Sequence, residues 1–208
     1  MNYYISDLHL FHKNVTGDGN NFDGRPYETL AEMHEDIRNR WNQKITNGDT
    51  VYILGDVSLR GRKEELIAFV STLKGHKVLV RGNHDDTSDL RYQNVYDEIC
   101  DYKEITDRLL DETVHLVLSH YPILMWKNQH RGWILLYGHL HQSGEDRYFQ
   151  KVIAEMNRED FEARVPRSTP ISAHNVGCML PYMDFEPRTL EEIVKGSYKY
   201  MEVLGLYS

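Results

Sequence analysis

The sequence predicts an α/β fold, two facing sheets flanked by helices, and three observations lead there. Short apolar runs rich in Val, Ile, Leu and Tyr recur along the chain and have the length of buried strands rather than of helices. The stretches between the first of these runs carry apolar residues at three- and four-residue steps, which gives a βαβαβ order. Most runs stop at a short block containing Asp, Asn or His. Strands pointing the same way would therefore deliver those blocks to one sheet edge, where open α/β sheets bind ligands.

In chain order, Tyr3 to Ile5 is the first strand. Thr29 to Ile45 follows as a helix with Leu30, Met33, Ile37, Trp41 and Ile45 on one face, and Thr29 stands three residues before Glu32, the spacing of a capping box. Val51 to Leu54 is the second strand. Lys63 to Leu73 is the next helix, apolar at Leu66, Phe69, Val70 and Leu73, with Gly75 placed to end it. Val78 to Val80 is the third strand. Asp97 to Thr106 is expected to pair with Thr113 to Ser119, around the apolar run Val114 to Leu118, and Ile134 to Tyr137 is a further strand. Ile171 to Ala173 and Thr189 to Lys195 suggest a last strand and a closing helix. Residues 142–170 are polar, with Phe149, Val152, Ile153 and Met156 at weak helical spacing, and are read as an insertion over the functional edge of a single domain spanning 1–208.

Composition narrows the function. The 208 residues are 40% hydrophobic and 27% charged, enough apolar material for a real core, with no repeat, low-complexity tract or Pro/Gly/Ser linker. A formal charge of −8 disfavours an electrostatic footprint for long nucleic acid. No apolar stretch approaches the roughly 18 to 20 residues of a membrane span. Asn2 to Ser6 reads as core strand, which leaves no room for a signal sequence and makes the cytoplasm the expected location. Cys100 and Cys178 stand outside any CxxC pattern, so neither a disulfide framework nor a thiolate-rich zinc site is expected.

The blocks at the strand ends are Asp7-Leu8-His9, Gly55-Asp56, Gly82-Asn83-His84-Asp85, Ser119-His120 and Gly138-His139-Leu140-His141. Singly each is a weak signal. Together, carboxylates, an amide and imidazoles gathered at one edge are the donors that hold two divalent cations close together for in-line attack on phosphorus. A structural explanation would need costly polar side chains brought to strand ends without a task.

In these blocks the chain resembles the calcineurin-like metallophosphoesterases, whose pattern DxH, GD, GNH[DE], H and GHxH is met in order from Asp7 to His141. His174-Asn175-Val176-Gly177 and the Asp7-x-His9-x-x-His12-x-Asn14 run are similar to small prokaryotic and phage-type members. The resemblance implies a metallophosphoesterase-like two-sheet β-sandwich core flanked by helices, an αββα arrangement. It assigns Asp7, His9 and His141 to a first metal, Asn83, His120 and His139 to a second, and Asp56 as the bridge. The implied reaction is hydrolysis of a phosphomonoester or phosphodiester of a small molecule or nucleotide by a hydroxide shared between the metals. His84 is the implied catalytic acid. Where the protein-phosphatase branch has an Asp to orient that histidine, this chain has Leu59; Asp85, a carbonyl or a residue of the first loop is left to do it. Arg60 aligns with a phosphate-binding arginine, and His12, Arg25 and Asn175 are expected at the substrate cleft, Asn175 alternatively orienting a ligand. The donor set suits Mn, Fe, Co, Ni or Zn, with manganese expected. A nuclease and an inactive metal-binding scaffold are the competing readings; oligomeric state stays open.

Outside the blocks, His34, His76 and His130 read as solvated, His115 as a strand residue, and His174 as either site wall or surface. Trp126 and Trp133 either pack their loop or stack a nucleobase. The Tyr-rich tail from Gly196 to Ser208 is read as packing for the last helix.

Overall fold

A computed structural model of the chain describes residues 1–59, 63–158, 160–162 and 169–206. Strands β1 (Asn2–Ile5), β2 (Thr50–Ile53), β3 (His76–Val80) and β4 (Glu98–Cys100) form one wholly parallel sheet in that order. A second sheet runs β5 (Lys103–Leu109), β6 (Glu112–Ser119), β7 (Ile134–Tyr137) and β8 (Ala173–Asn175), antiparallel at the β5–β6 hairpin and parallel from β6 to β8. The crossovers of the first sheet carry α1 (Leu30–Lys44), α2 (Lys63–Ser71) and the short α3 (Leu90–Gln93). Helix α4 (Gly144–Met156) lies between β7 and β8, and α5 (Leu190–Val203) closes the chain.

Side-chain alternation in the second sheet shows the layering. Leu116 and Leu118 of β6 and Ile134 and Leu136 of β7 join the main core with α1, α2 and the first sheet. Their neighbours Val117, Leu135 and Tyr137 face the opposite way, into a second cluster with Phe149, Ile153 and Met156 of α4. Period-2 patterning of fully apolar strands thus yields helices, sheet, sheet, helix: the αββα sandwich expected. Helix α1 starts where the capping box puts it, with Thr29 and Glu32 satisfying each other's amides. Thr189 and Glu192 do the same for α5.

Three expectations are corrected. The stretch expected to pair as one strand from Asp97 is split: Glu98–Cys100 adds to the edge of the first sheet, and Lys103–Leu109 begins the second. Residues 144–156 are chiefly an outer layer of the sandwich rather than a cover, because Phe149, Ile153 and Met156 bury against the second sheet, and the start of this helix, at Glu145, reaches the functional edge. The tyrosine-rich tail does not pack on the last helix; through Val203 it is that helix.

Register places the functional edge. Ile5 pairs with Ile53 and Ile53 with Leu79, while Ser119 pairs with Tyr137, so the parallel strands of each sheet stop level and their following loops emerge side by side.

Candidate metal centre

The loops after β1 and β2 are laced together by main-chain bonds: Asp7 N–H to Gly55 O at 3.0 Å, His9 N–H to Asp56 O at 3.0 Å, and Leu10 N–H to Val57 O at 2.8 Å. Holding that lacing while turning side chains into one pocket forces the backbone out of ordinary regions. Asp7 (φ 56), His9 (φ 47), Asp56 (φ 52), His139 (φ 70) and His141 (φ 50) are all left-handed. Such geometry costs on the order of 1 kcal/mol or more per residue and collects where function over-determines it. Close approach matters as much: a Cβ on Gly82 would collide with Asp56 Oδ1, and one on Gly138 would lie 2.5 Å from Ser6 Oγ and 2.7 Å from Asp7 Oδ2.

Two donor groups result, Asp7, His9 and His141 in one and Asp56, His120 and His139 in the other, the ligand atoms of each within 4.8 Å of one another. His9 Nε2 and His141 Nε2 stand 3.1 Å apart, and His141 Nε2 is 3.7 Å from Asp7 Oδ1. In the second group His120 Nε2 is 3.1 Å from Asn83 Oδ1 and 3.6 Å from Asp56 Oδ2. That same Oδ2 is 3.8 Å from His9 Nε2, so Asp56 faces both groups. Donors about 2.1 Å from a shared ion lie roughly 3 to 3.5 Å apart in tetrahedral or adjacent octahedral positions. The spacings, from 3.1 to 3.8 Å, reach from this window to a few tenths of an ångström beyond it, and with the all-N/O chemistry they suit divalent ions in both donor groups.

Surrounding bonds aim these donors. Asp7 accepts Ser6 Oγ–H at 2.6 Å and the His139 amide at 3.0 Å, and His120 Nδ1 meets Leu54 O at 2.8 Å. The His84 amide donates to Asp56 Oδ1 at 2.9 Å, leaving Oδ2 for the pocket. Burial, with the His141 and Arg25 charges, holds the His9 pKa well below its usual value, and burial, with His120, lowers that of His139; both imidazoles are ready as neutral ligands. His141 moves the other way: burial opposes its charged form, but Asp23 and Asp7 outweigh burial and raise it.

A cavity of ≈ 490 Å³ opens over the donors, lined among others by His12, Phe22, His84, Gln142, Ser143 and Glu145. His84 is on its rim, with Nε2 4.0 Å from Asp56 Oδ2, and His12 lines the wall. Tyr121 stands edge-on to His120 and His139 beside the second group.

Several expectations move. Asp85 neither reaches the reacting edge nor orients His84; its carboxylate accepts the amides of Gly82 (2.8 Å), Asp56 (2.9 Å) and Val57 (3.0 Å), stapling the second and third blocks. Arg25 is no substrate contact, because its buried guanidinium donates to the carbonyls of Asp7 and Leu8 and to Asp23. Asn175 is not in the cleft either: its Nδ2 donates to His141 O at 3.1 Å and to Asp146 Oδ1 at 3.0 Å, which is the orienting alternative. Arg60 lies outside the described residues. His34 is not solvated but accepts the Phe11 amide at 3.0 Å, and His174 is neither wall nor surface but buried beneath Tyr198, bonded to Ser172 Oγ. Trp126 packs in the second cluster and donates to Trp133 O, while Trp133 stacks on His115, so both serve packing.

The model of the calcineurin-like phosphoesterase family matches residues 3–174, and the chain belongs to that family. It is 30% identical over 162 residues to the Gene 66 protein of Mycobacterium phage D29, covering 67% of this chain and 77% of that protein. It is 29% identical over 147 residues to the uncharacterized protein MJ1445 of Methanocaldococcus jannaschii, covering 70% and 72%. Among solved structures, the protein of unknown function AQ665 from Aquifex aeolicus shares the fold, with a TM-score of 0.59, 24% identity, and coverage of 94% of this chain and 98% of that one. The family is one of metal-dependent phosphoesterases, and the two donor groups give this member places for metal ions. Among the described residues no helix is long and apolar enough to cross a membrane.

Proposed function

We propose that the protein is a dinuclear metal-dependent hydrolase of small phosphorylated molecules, nucleotides included, working in the cytoplasm with manganese as its activating ion. The carrying observation is that Asp56 Oδ2 lies between His9 Nε2 and His120 Nε2, at 3.8 and 3.6 Å, where one carboxylate serves both donor groups. Asp7, His9 and His141 would hold the first ion, Asn83, His120 and His139 the second, and Asp56 both. When bound, such a pair supplies Lewis acidity to phosphoryl oxygens and an activated water for in-line attack. The chain's own part is to aim the donors, to keep His9 and His139 neutral, and to give the phosphate a pocket in which five imidazoles line the wall beside the carboxylates of Asp23, Asp56 and Glu145. His84, half-exposed on the rim and held by its amide on Asp56, hands a proton to the leaving-group oxygen. A cavity of ≈ 490 Å³ suits a ligand of nucleotide size.

The test is a manganese-reconstituted screen of matched aryl monoesters, diesters and cyclic nucleotides, with metal analysis. Asp56→Asn is expected to lower metal content and to cut turnover by at least about 1000-fold with an unchanged circular dichroism spectrum; full activity would contradict the shared-carboxylate assignment. His84→Asn is expected to keep both metals and to slow poor leaving groups most, and equal slowing across leaving groups would contradict its acid role.

A further inference from the structure

The loop between the first block and α1 carries a carboxylate that no motif accounts for. Asn21 closes this loop on Arg25, its Nδ2 donating to Arg25 O at 2.9 Å and its Oδ1 accepting the Arg25 amide at 3.0 Å, with Asn21 and Gly24 in left-handed backbone at φ 43 and 64. Closure turns Phe22 outward, 55% exposed, and Asp23 inward, its side chain only 4% exposed. There Asp23 Oδ1 lies 2.7 Å from His141 Nδ1, while Oδ2 accepts Arg25 Nε at 3.0 Å and Nη2 at 2.8 Å. The same guanidinium donates to Leu8 O and Asp7 O, both at 2.8 Å, so the carboxylate on His141 is anchored to the main chain of the block on the opposite side of the first donor group.

We propose that Asp23 is a positioning residue for the first metal, accepting Nδ1–H of His141 so that the Nε2 lone pair faces Asp7 and His9. A neutral imidazole has one bare nitrogen, and the bond at the other decides which one it is. Two other imidazoles of the centre are set differently: His120 Nδ1 meets a neutral carbonyl, Leu54 O, and His9 Nδ1 is buried with no partner among the described residues. Of these three, His141 is the one whose Nδ1 meets a carboxylate, and Arg25 offsets that carboxylate's charge. Orientation rather than added charge is therefore its contribution, and its loss falls on one site of the two. The inference rests on the reading that Asp7, His9 and His141 hold a metal.

The experiment is calorimetric titration of chelator-stripped full-length protein with Mn²⁺ alone, for wild type, Asp23→Ala and Asp23→Asn, with the melting temperature of each metal-free protein. Wild type is expected to take up two ions. Asp23→Ala is expected to weaken one binding step 10- to 100-fold and leave the other unchanged. Asp23→Asn, whose amide oxygen can still accept Nδ1–H, is expected to recover most of the loss, and if the alanine variant does not fold, Asp23→Leu, similar in size and without an acceptor, replaces it with the same one-step weakening expected. Unchanged affinity in Asp23→Ala, equal weakening of both steps, or weakening that only follows the melting temperature would overturn the positioning role. No uptake by wild type would overturn it together with the metal reading, so the two failures are told apart by which protein fails.

Discussion

Asp7, His9, Asp56, His139 and His141 sit in left-handed backbone that non-glycine residues avoid, and each is a donor of the centre. Asp and His tolerate that region better than branched residues do, so the side chains suited to hold a cation are also those that endure the bend. What keeps such a loop in place is a set of neighbours with no chemistry of their own. His34 is one: from α1 it accepts the amide of Phe11, itself at φ 63, and packs against Phe11 and Phe69. Burial, helped by the Arg38 charge, holds the His34 pKa down at about 4. An unfolded chain protonates this histidine below about 6.5, whereas the folded protein resists until about 4. Acid therefore favours unfolding: the His34 contribution is complete above the unfolded value and drains away as pH falls from there through the folded one. Its full size is on the order of 2 kcal/mol or less after allowing for partial solvent contact. Melting temperatures measured from pH 7 to 4.5 are expected to fall less steeply in His34→Gln, which keeps an acceptor that does not titrate; parallel slopes would show that His34 titrates freely. The donors were legible in the sequence because their spacing after apolar runs is one-dimensional. The roles of Asp23, Arg25, Asp85 and His34 were not, since which way a polar side chain turns depends on the loop packed against it. Arg25 drew attention as a cation near the first block, and only the neighbouring carboxylate two residues earlier, in Phe22-Asp23-Gly24-Arg25, hinted at a buried pair.

Among the elements, strand ends do most to build the centre, and the glycines beside them set how near two ends approach. β1 and β7 belong to different sheets, yet the His139 amide following β7 donates to both Asp7 oxygens following β1, at 3.1 and 3.0 Å. Gly138 makes that contact possible. Gly138→Ala would press a methyl on buried Ser6 and Asp7, neither of which has room to retreat. The expected cost is about 1 to 3 kcal/mol of stability, as for overpacking in a tight core, with weakened metal uptake because Asp7 must shift. Gly48→Ala, whose Cβ would meet nothing nearer than Thr46 Oγ1 at 4.0 Å, is the matched control and is expected to be near neutral in the same urea denaturation series. Elements with strong period were readable: capped α1, α2 and the central strands lie where their patterns put them. The turn between β4 and β5 was not, because Asp101 and Tyr102 carry no glycine or proline to announce that the chain leaves one sheet for the other.

At the scale of the molecule, the centre spans the seam of the sandwich. The first donor group joins the loop after β1 to the loop after β7, and the second joins the loop after β2 to those after β6 and β7, so each draws on both sheets. Asp7 is buried, and burial raises its pKa against the pull of His141 and His120, so the described groups give its ionised form less counter-charge than burial costs it. Cations binding there would supply that charge and tie one sheet to the other only in the folded state, which makes their binding free energy folding free energy. With free ion at about 100 times its dissociation constant, each site adds roughly 2.7 kcal/mol, and for a chain of this size that raises the melting temperature by about 5 to 10 °C. The chelator-stripped protein is thus expected to melt well below the manganese-loaded one, with a midpoint that climbs steadily with Mn²⁺ concentration and a far-UV spectrum at 20 °C that does not change. Magnesium at the same concentration is expected to shift the midpoint less, since it binds imidazole reluctantly and keeps its water. A midpoint indifferent to both ions would mean that the seam holds without them and that the donors from the two sheets do not share a metal.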